Sequence, residues 1–216
     1  MKTRPETADI HDEAESFAGG HCPVIFRSRT IDDYAVYLDK PISKPSLYRE
    51  VIKTFEEAGP TDSVTIIINT PGGQLGTTTA IINAIQTCRG KVCAKIEGMA
   101  ASAGSLIALS CPEVEVMPFS RVMIHPASTV IGGALGDILT YAEFVTEEVN
   151  RLYKTVYSGF LTEAELDLVT YGNKELWFND EETAKRLQRM YEYRYQLEKE
   201  AEAEEEASTD EPEETA

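Results

Sequence analysis

The run Ser63-Val64-Thr65-Ile66-Ile67-Ile68-Asn69 constrains this chain more than any other stretch. It is almost continuously β-branched, the composition of a strand buried on both faces, and such strands belong to parallel sheets covered by helices. It runs into the loop Thr70-Pro71-Gly72-Gly73 and then into Thr78–Thr87, where Ala80, Ile81, Ala84 and Ile85 share one helical face. The pattern then repeats its logic, with a strand over Lys91–Glu97 and a short helix over Ser105–Ser110. A β-α-β-α-β succession implies an α/β domain with a mostly parallel sheet.

Further elements flank this centre. Ala35–Leu38 reads as a strand, and Leu47–Ala58 as a helix stopped by Gly59-Pro60. Val114–Met117 and Arg121–Ile124 are two more short strands. Helical spacing then extends from about Leu135 to Phe160, over Leu161–Val169, and from Asp180 to about Glu205. Residues 1–22 form a polar, acidic arm, expected to be flexible.

The chain has 216 residues, 42% of them hydrophobic, enough for one good-sized core. No apolar run approaches the roughly 20 residues of a membrane span, and the N-terminus lacks the apolar segment of a secretory signal. The expectation is a cytoplasmic protein, not a membrane one. Cys22, Cys88, Cys93 and Cys111 lack CxxC spacing and fit reduced core thiols. The net charge is −17, and the ten carboxylates and one lysine of Glu198–Ala216 supply −9 of it. That tail is expected to be disordered or frayed helix, serving solubility. With no basic stripe to offset the charge, nucleic acid binding is excluded.

Ligands of α/β folds bind where strands end and helices begin. Three candidate groups fall at such points: the glycines Gly72 and Gly73, the serine of Gly98-Met99-Ala100-Ala101-Ser102-Ala103-Gly104, and His125 after the strand Arg121–Ile124. Small neighbours let the Ser102 hydroxyl stand exposed at a tight strand-to-helix turn. Taken alone, a run of Ala, Ser and Gly also fits close packing, and Gly72-Gly73 also fits a simple turn. Together the groups suit nucleophilic chemistry. A serine needs an imidazole to take its proton, and the imidazole needs an acid to hold its tautomer. His125 is the single histidine outside the arm, since His11 and His21 lie within the first 22 residues. The backbone N–H groups of Gly72 and Ala103 are candidates for holding a tetrahedral oxyanion.

These segments resemble the ClpP family, the serine peptidase core of the Clp proteases. The family shows SPGG, GxAASMG and SRVMIHQP. This chain has Thr70-Pro71-Gly72-Gly73, Gly98–Gly104, and Ser120-Arg121-Val122-Met123-Ile124-His125-Pro126, with six identical consecutive residues from Ser120 to His125. The resemblance covers roughly Ala35 to Ala184. It implies a spiral of β-α-β units of the ClpP/crotonase type with a protruding handle at about 126–160, inside a peptidase domain over 23–190. It further implies a serine endopeptidase acting on polypeptide substrates within a homo-oligomeric ring, single or stacked in pairs, without metal or organic cofactor. Ser102 would be the nucleophile and His125 the base. The family's acid, an aspartate in a segment like RDxFLSAPEA, maps onto Glu175; Asp180 is the competing candidate, with an alternative reading as a helix-capping acid. Gly73, Gly132 and Gly133 would line the substrate.

The ends depart from the family. The first residues do not resemble its axial loop, and after Ala184 a long charged helix replaces its closing turn and strand, with residues 191–216 as charged helix and acidic tail. Both departures argue against docking to a Clp-type ATPase and are compatible with a phage-borne peptidase acting alone. Two other readings stay open on sequence: a non-catalytic ClpP-like ring subunit, and an acyl-CoA enzyme of the crotonase fold.

Overall fold

The computed structural model describes residues 31–128, 130 and 132–209, with side chains to residue 204. The arm at 1–22 with His11 and His21, Cys22, the start of the 23–190 domain, and tail residues 210–216 lie outside the described residues. Six strands form one sheet: β1 (Asp33–Leu38), β2 (Ser63–Thr70), β3 (Lys91–Ala101), β4 (Glu113–Val116), β5 (Arg121–Ile124) and β6 (Leu176–Asn179). Six helices accompany them: α1 (Arg49–Glu57), α2 (Leu75–Thr87), α3 (Ala103–Ser110), α4 (Leu135–Tyr157), α5 (Glu163–Thr170) and α6 (Asp180–Thr209). The architecture is α/β.

The sheet runs β1-β2-β3-β5-β6, with β4 also paired to β3. All pairings are parallel except β5 with β6. Strand β3 is the axis, because its first half pairs with β4 at Cys93–Ile96 and its last three residues with β5 at Met99–Ala101. Sequence propensity ends this strand at Glu97, since Gly and Ala are poor strand formers. Pairing to β2 and β5 carries it on to Ala101, up to the serine.

Burial along β2 alternates: Val64, Ile66, Ile68 and Thr70 are buried, whereas Thr65 and Ile67 are half-buried and Asn69 is exposed. The expectation of burial on both faces therefore holds on one face only. The helices cover that face, and the core there joins Ile66, Ile68, Ile81, Ile96, Ile107 and Leu109.

Helix α6 is tied to α5 and to the turn that precedes it by two arginines. Arg186 donates to Phe160 O, pairs with both carboxylate oxygens of Glu165 at 2.8 and 2.7 Å, and stacks 4.2 Å over the Phe178 ring of β6. Arg189 donates to the carbonyls of Gly159 and Phe160. The Arg186 guanidinium holds the Glu165 carboxyl down at about 2, against an ordinary value of 4.5. Because the folded-state value lies below the unfolded one, this stabilisation is complete above about pH 4.5 and is lost as pH falls toward 2. Glu165→Gln should cost about 1–3 kcal/mol near neutrality and progressively less below pH 4.5, read as the gap in Tm between variant and wild type against pH.

Candidate active site

Ser102 stands between β3 and α3, where the chain turns sharply. Its backbone adopts φ 54°, ψ −120°, a region that costs a non-glycine residue about 1–3 kcal/mol. Several bonds impose that shape. The Ser102 N–H donates to Met123 O at 2.9 Å, tying the turn to β5. Its carbonyl accepts the N–H groups of Ser105 and Leu106 at 2.9 and 3.2 Å, which starts α3. The flanking Ala101, Ala103 and Gly104 are buried, and a Cβ on Gly104 would lie 2.6 Å from Thr70 Cγ2. Small residues are thus required by the packing of the turn against β2.

His125 follows β5 directly and precedes Pro126, which biases it to extended backbone and keeps it out of a helix. Its Nε2 lies 2.7 Å from Ser102 Oγ. Donation by the hydroxyl requires a bare Nε2, and hence the tautomer with its proton on Nδ1. The hydroxyl–imidazole pair expected from sequence is therefore brought together by the β3–β5 pairing.

Glu175 precedes β6. The last pair of the antiparallel register sets Leu176 against Ile124, which brings Glu175 and His125 to the same end of the β5–β6 ladder, just beyond its paired residues. The Glu175 carboxylate accepts a hydrogen bond from Trp177 Nε1 at 3.0 Å through Oε1, and no hydrogen bond joins it to His125 among the described residues. Asp180, the competing acid, accepts the Phe119 N–H at 2.8 Å and holds that loop residue at φ 65°. Its carboxylate is committed to the loop before β5, while the first turn of α6 is capped by Asn179, whose Oδ1 accepts the Glu182 N–H at 2.8 Å.

Gly72 touches the nucleophile. A Cβ placed on it would lie 2.6 Å from Ala101 O, 2.7 Å from Ser102 Cβ and 2.9 Å from Ala103 N, and its φ is +95°. Its N–H, however, donates to Thr70 Oγ1 at 3.2 Å, and its carbonyl accepts the Ile42 N–H. This corrects the expectation that the Gly72 N–H is free for an oxyanion. Gly73 sits beside Ile42, and its N–H has no partner among the described residues. Asn69, absent from the sequence reasoning, bridges the bulge between β2 and β3: its Oδ1 accepts the Met99 N–H at 3.1 Å, over Gly98, where a Cβ would clash.

Gly132 and Gly133 lie in the stretch between β5 and α4, and among the described residues nothing beyond their chain neighbours comes within 4 Å of where a Cβ would sit on either. Thr129 and Ile131 of that stretch are outside the described residues. Elsewhere, a cleft of about 450 Å³ is lined by Cys88, Ser110, Tyr191, Arg194 and Tyr195, away from Ser102. Its arginine is already directed at the carbonyls of Leu109, Cys111 and Val156. Cys88, Cys93 and Cys111 are free thiols, and burial pushes that of Cys111 well up. No helix of the described residues is long and apolar enough to cross a membrane.

A parallel α/β sheet with a hydroxyl and an imidazole at adjoining strand ends is a layout suited to hydrolysis. The family model for Clp protease matches residues 23–186. Among curated proteins, the chain is similar to ATP-dependent Clp protease proteolytic subunit 2 of Tropheryma whipplei (strain Twist), 29% identical over 128 residues that cover 58% of this chain and 71% of the relative. It is also similar to ATP-dependent Clp protease proteolytic subunit 1 of Chlamydia abortus (strain DSM 27085 / S26/3), 26% identical over 141 residues, 63% of this chain and 72% of the relative. The chain belongs to the Clp protease family, a family of peptidases.

Proposed function

We propose that this chain is a serine endopeptidase in which Ser102 attacks the peptide carbonyl. The observation that carries the reading is the 2.7 Å contact between Ser102 Oγ and His125 Nε2, made by a serine in strained backbone at the start of a helix. His125 takes the hydroxyl proton as the acyl-enzyme forms and returns it to the leaving amine. A water activated the same way then releases the acyl group. Glu175 is the acid of the triad; its Oε2 carries no partner among the described residues, leaving that oxygen for His125 Nδ1. The oxyanion is held by Ala103 N–H at the start of α3 and by Gly73 N–H, since the Gly72 N–H is occupied by Thr70. Gly72 instead gives the serine room. The open surroundings of Gly132 and Gly133 leave space for an extended polypeptide to pair along that stretch.

The first half of α4, the segment assigned to the handle, leaves Leu135, Leu139, Tyr141 and Phe144 exposed, 81% in the case of Leu135. Exposed apolar side chains on opposite sides of this helix suit packing between further copies in a ring. Helix α6 continues unbroken to Thr209, where the family resemblance leads one to expect a turn and strand, and this supports action without a Clp-type ATPase in the cytoplasm. The test is hydrolysis of a fluorogenic unfolded polypeptide by the purified protein, with sedimentation to follow assembly. Glu175→Ala should lower kcat by about 10²–10⁴-fold with KM little changed. Turnover in wild type that Glu175→Ala leaves intact would remove Glu175 from the triad.

A further inference from the structure

Two tyrosines of α4 are connected to the nucleophile and the base, and the reaction as described does not use them. Tyr153 and Tyr157 lie one helical turn apart, both buried, with ring centroids 5.2 Å apart. Tyr153 OH donates to the carbonyl of His125 at 2.8 Å. Tyr157 OH lies 2.9 Å from Ser105 Oγ, and Ser105 Oγ donates to the carbonyl of Ser102 at 2.7 Å. A carbonyl can only accept, so the serine proton points at Ser102 and Tyr157 must be the donor to Ser105. One helix therefore holds, through two hydroxyls, the main-chain carbonyls of both residues of the 2.7 Å pair.

Resting on the peptidase reading above, we infer that Tyr153 and Tyr157 are positioning residues that hold His125 and Ser102 in reacting geometry from α4. Each anchor acts on the main chain that carries a reacting side chain. His125 lies one residue beyond its strand, so nothing in the β5–β6 ladder fixes its carbonyl. Ser102 has a strained backbone whose carbonyl direction is set by ψ −120°, and the Ser105 hydroxyl adds a third bond to the two helical ones. Neither tyrosine hydroxyl takes another hydrogen-bond partner among the described residues, and burial pushes that of Tyr153 up to about 12 and that of Tyr157 well up, so both stay protonated donors. A misplacement of the order of 1 Å at reacting atoms costs up to about a hundredfold in rate, so two modest hydrogen bonds have leverage on turnover that they lack on stability.

The experiment measures the second-order rate at which a fluorophosphonate labels Ser102 in the full chain, together with kcat and KM on the fluorogenic substrate. Variants are Tyr153→Phe, Tyr157→Phe, Ser105→Ala and the double variant Tyr157→Phe/Ser105→Ala. Tyr191→Phe is the control, since it deletes a half-buried tyrosine hydroxyl bonded to Val114 N–H at 2.8 Å, on β4. The expected result is labelling and kcat slowed about 3- to 10-fold in each single variant with KM within about twofold, and Tyr191→Phe unchanged. The double variant should be no slower than either of its singles, because Tyr157 acts only through Ser105. Ser105→Ala keeps the test alive should Tyr157→Phe not fold. Wild-type rates in all variants overturn the inference with the peptidase reading intact. Equal slowing in Tyr191→Phe reveals general loosening and overturns it as well. Absence of labelling in wild type overturns the peptidase reading, and this inference falls with it.

Discussion

Ser102→Ala lowers peptide hydrolysis by about 10⁴-fold or more while leaving the fold in place. The hydroxyl is the atom of the described site that would form the acyl bond, and its one hydrogen bond among the described residues is to His125 Nε2. Deleting it costs stability no more than about 1 kcal/mol, the net worth of a hydrogen bond. A companion variant separates activity from stability in the other direction. Ser102→Gly is equally inactive but relieves the positive φ of 54°, so its Tm should match or exceed that of Ser102→Ala. Thermal melts and turnover on the same preparations check both. A Ser102→Ala protein that keeps wild-type turnover would revive a crotonase-type reading, in which no serine nucleophile is needed.

The second large effect is at Gly72. Gly72→Ala introduces a methyl 2.6 Å from Ala101 O and 2.9 Å from Ala103 N, both main-chain atoms in the turn that carries the nucleophile. Neither can swing away as a side chain would, and φ +95° is itself unfavourable for alanine. Strain and overpacking together should cost about 2–5 kcal/mol, and the folded fraction should be inactive because Ser102 and the Ala103 N–H are displaced. Gly76→Ala, four residues on and within α2, meets no atom within 4 Å and should be neutral or stabilising by up to about 1 kcal/mol. Denaturant unfolding of the two variants, side by side, distinguishes a site built around a glycine from a glycine in open space.

What could be read from sequence was whatever announces itself locally. The β-branched run of β2 and the following glycines identified the sheet and the loop beside it. His125 stood out as the histidine beyond the arm that ends a strand. The need of a serine nucleophile for an imidazole, and the family resemblance, paired it with Ser102, and its Nε2 lies 2.7 Å from Ser102 Oγ. Less legible were features created by pairing across the chain. The four residues of β6 are too short for a periodic signal, and the pairing with β5 that orders them also brings Glu175 and His125 to the same end of that ladder. The extension of β3 over Gly98–Ala101 likewise depends on β5 and on Asn69 bridging the bulge. Gly72 and Gly73 are adjacent and identical in type, so only the Thr70 hydroxyl, which occupies one N–H, tells them apart. Nothing local in the sequence singles out Tyr153 and Tyr157, because their hydroxyl partners lie 28 and 52 residues away.

The central claim is that Ser102 is an activated nucleophile. Treating the purified full chain with a fluorophosphonate and mapping the adduct by mass spectrometry tests it most directly. A single adduct on Ser102, absent in Ser102→Ala and strongly reduced in His125→Ala, is the expected result. A chain that stays unlabelled while assembled, or that carries the adduct on another residue, would contradict the claim and leave a family member that does not use this serine.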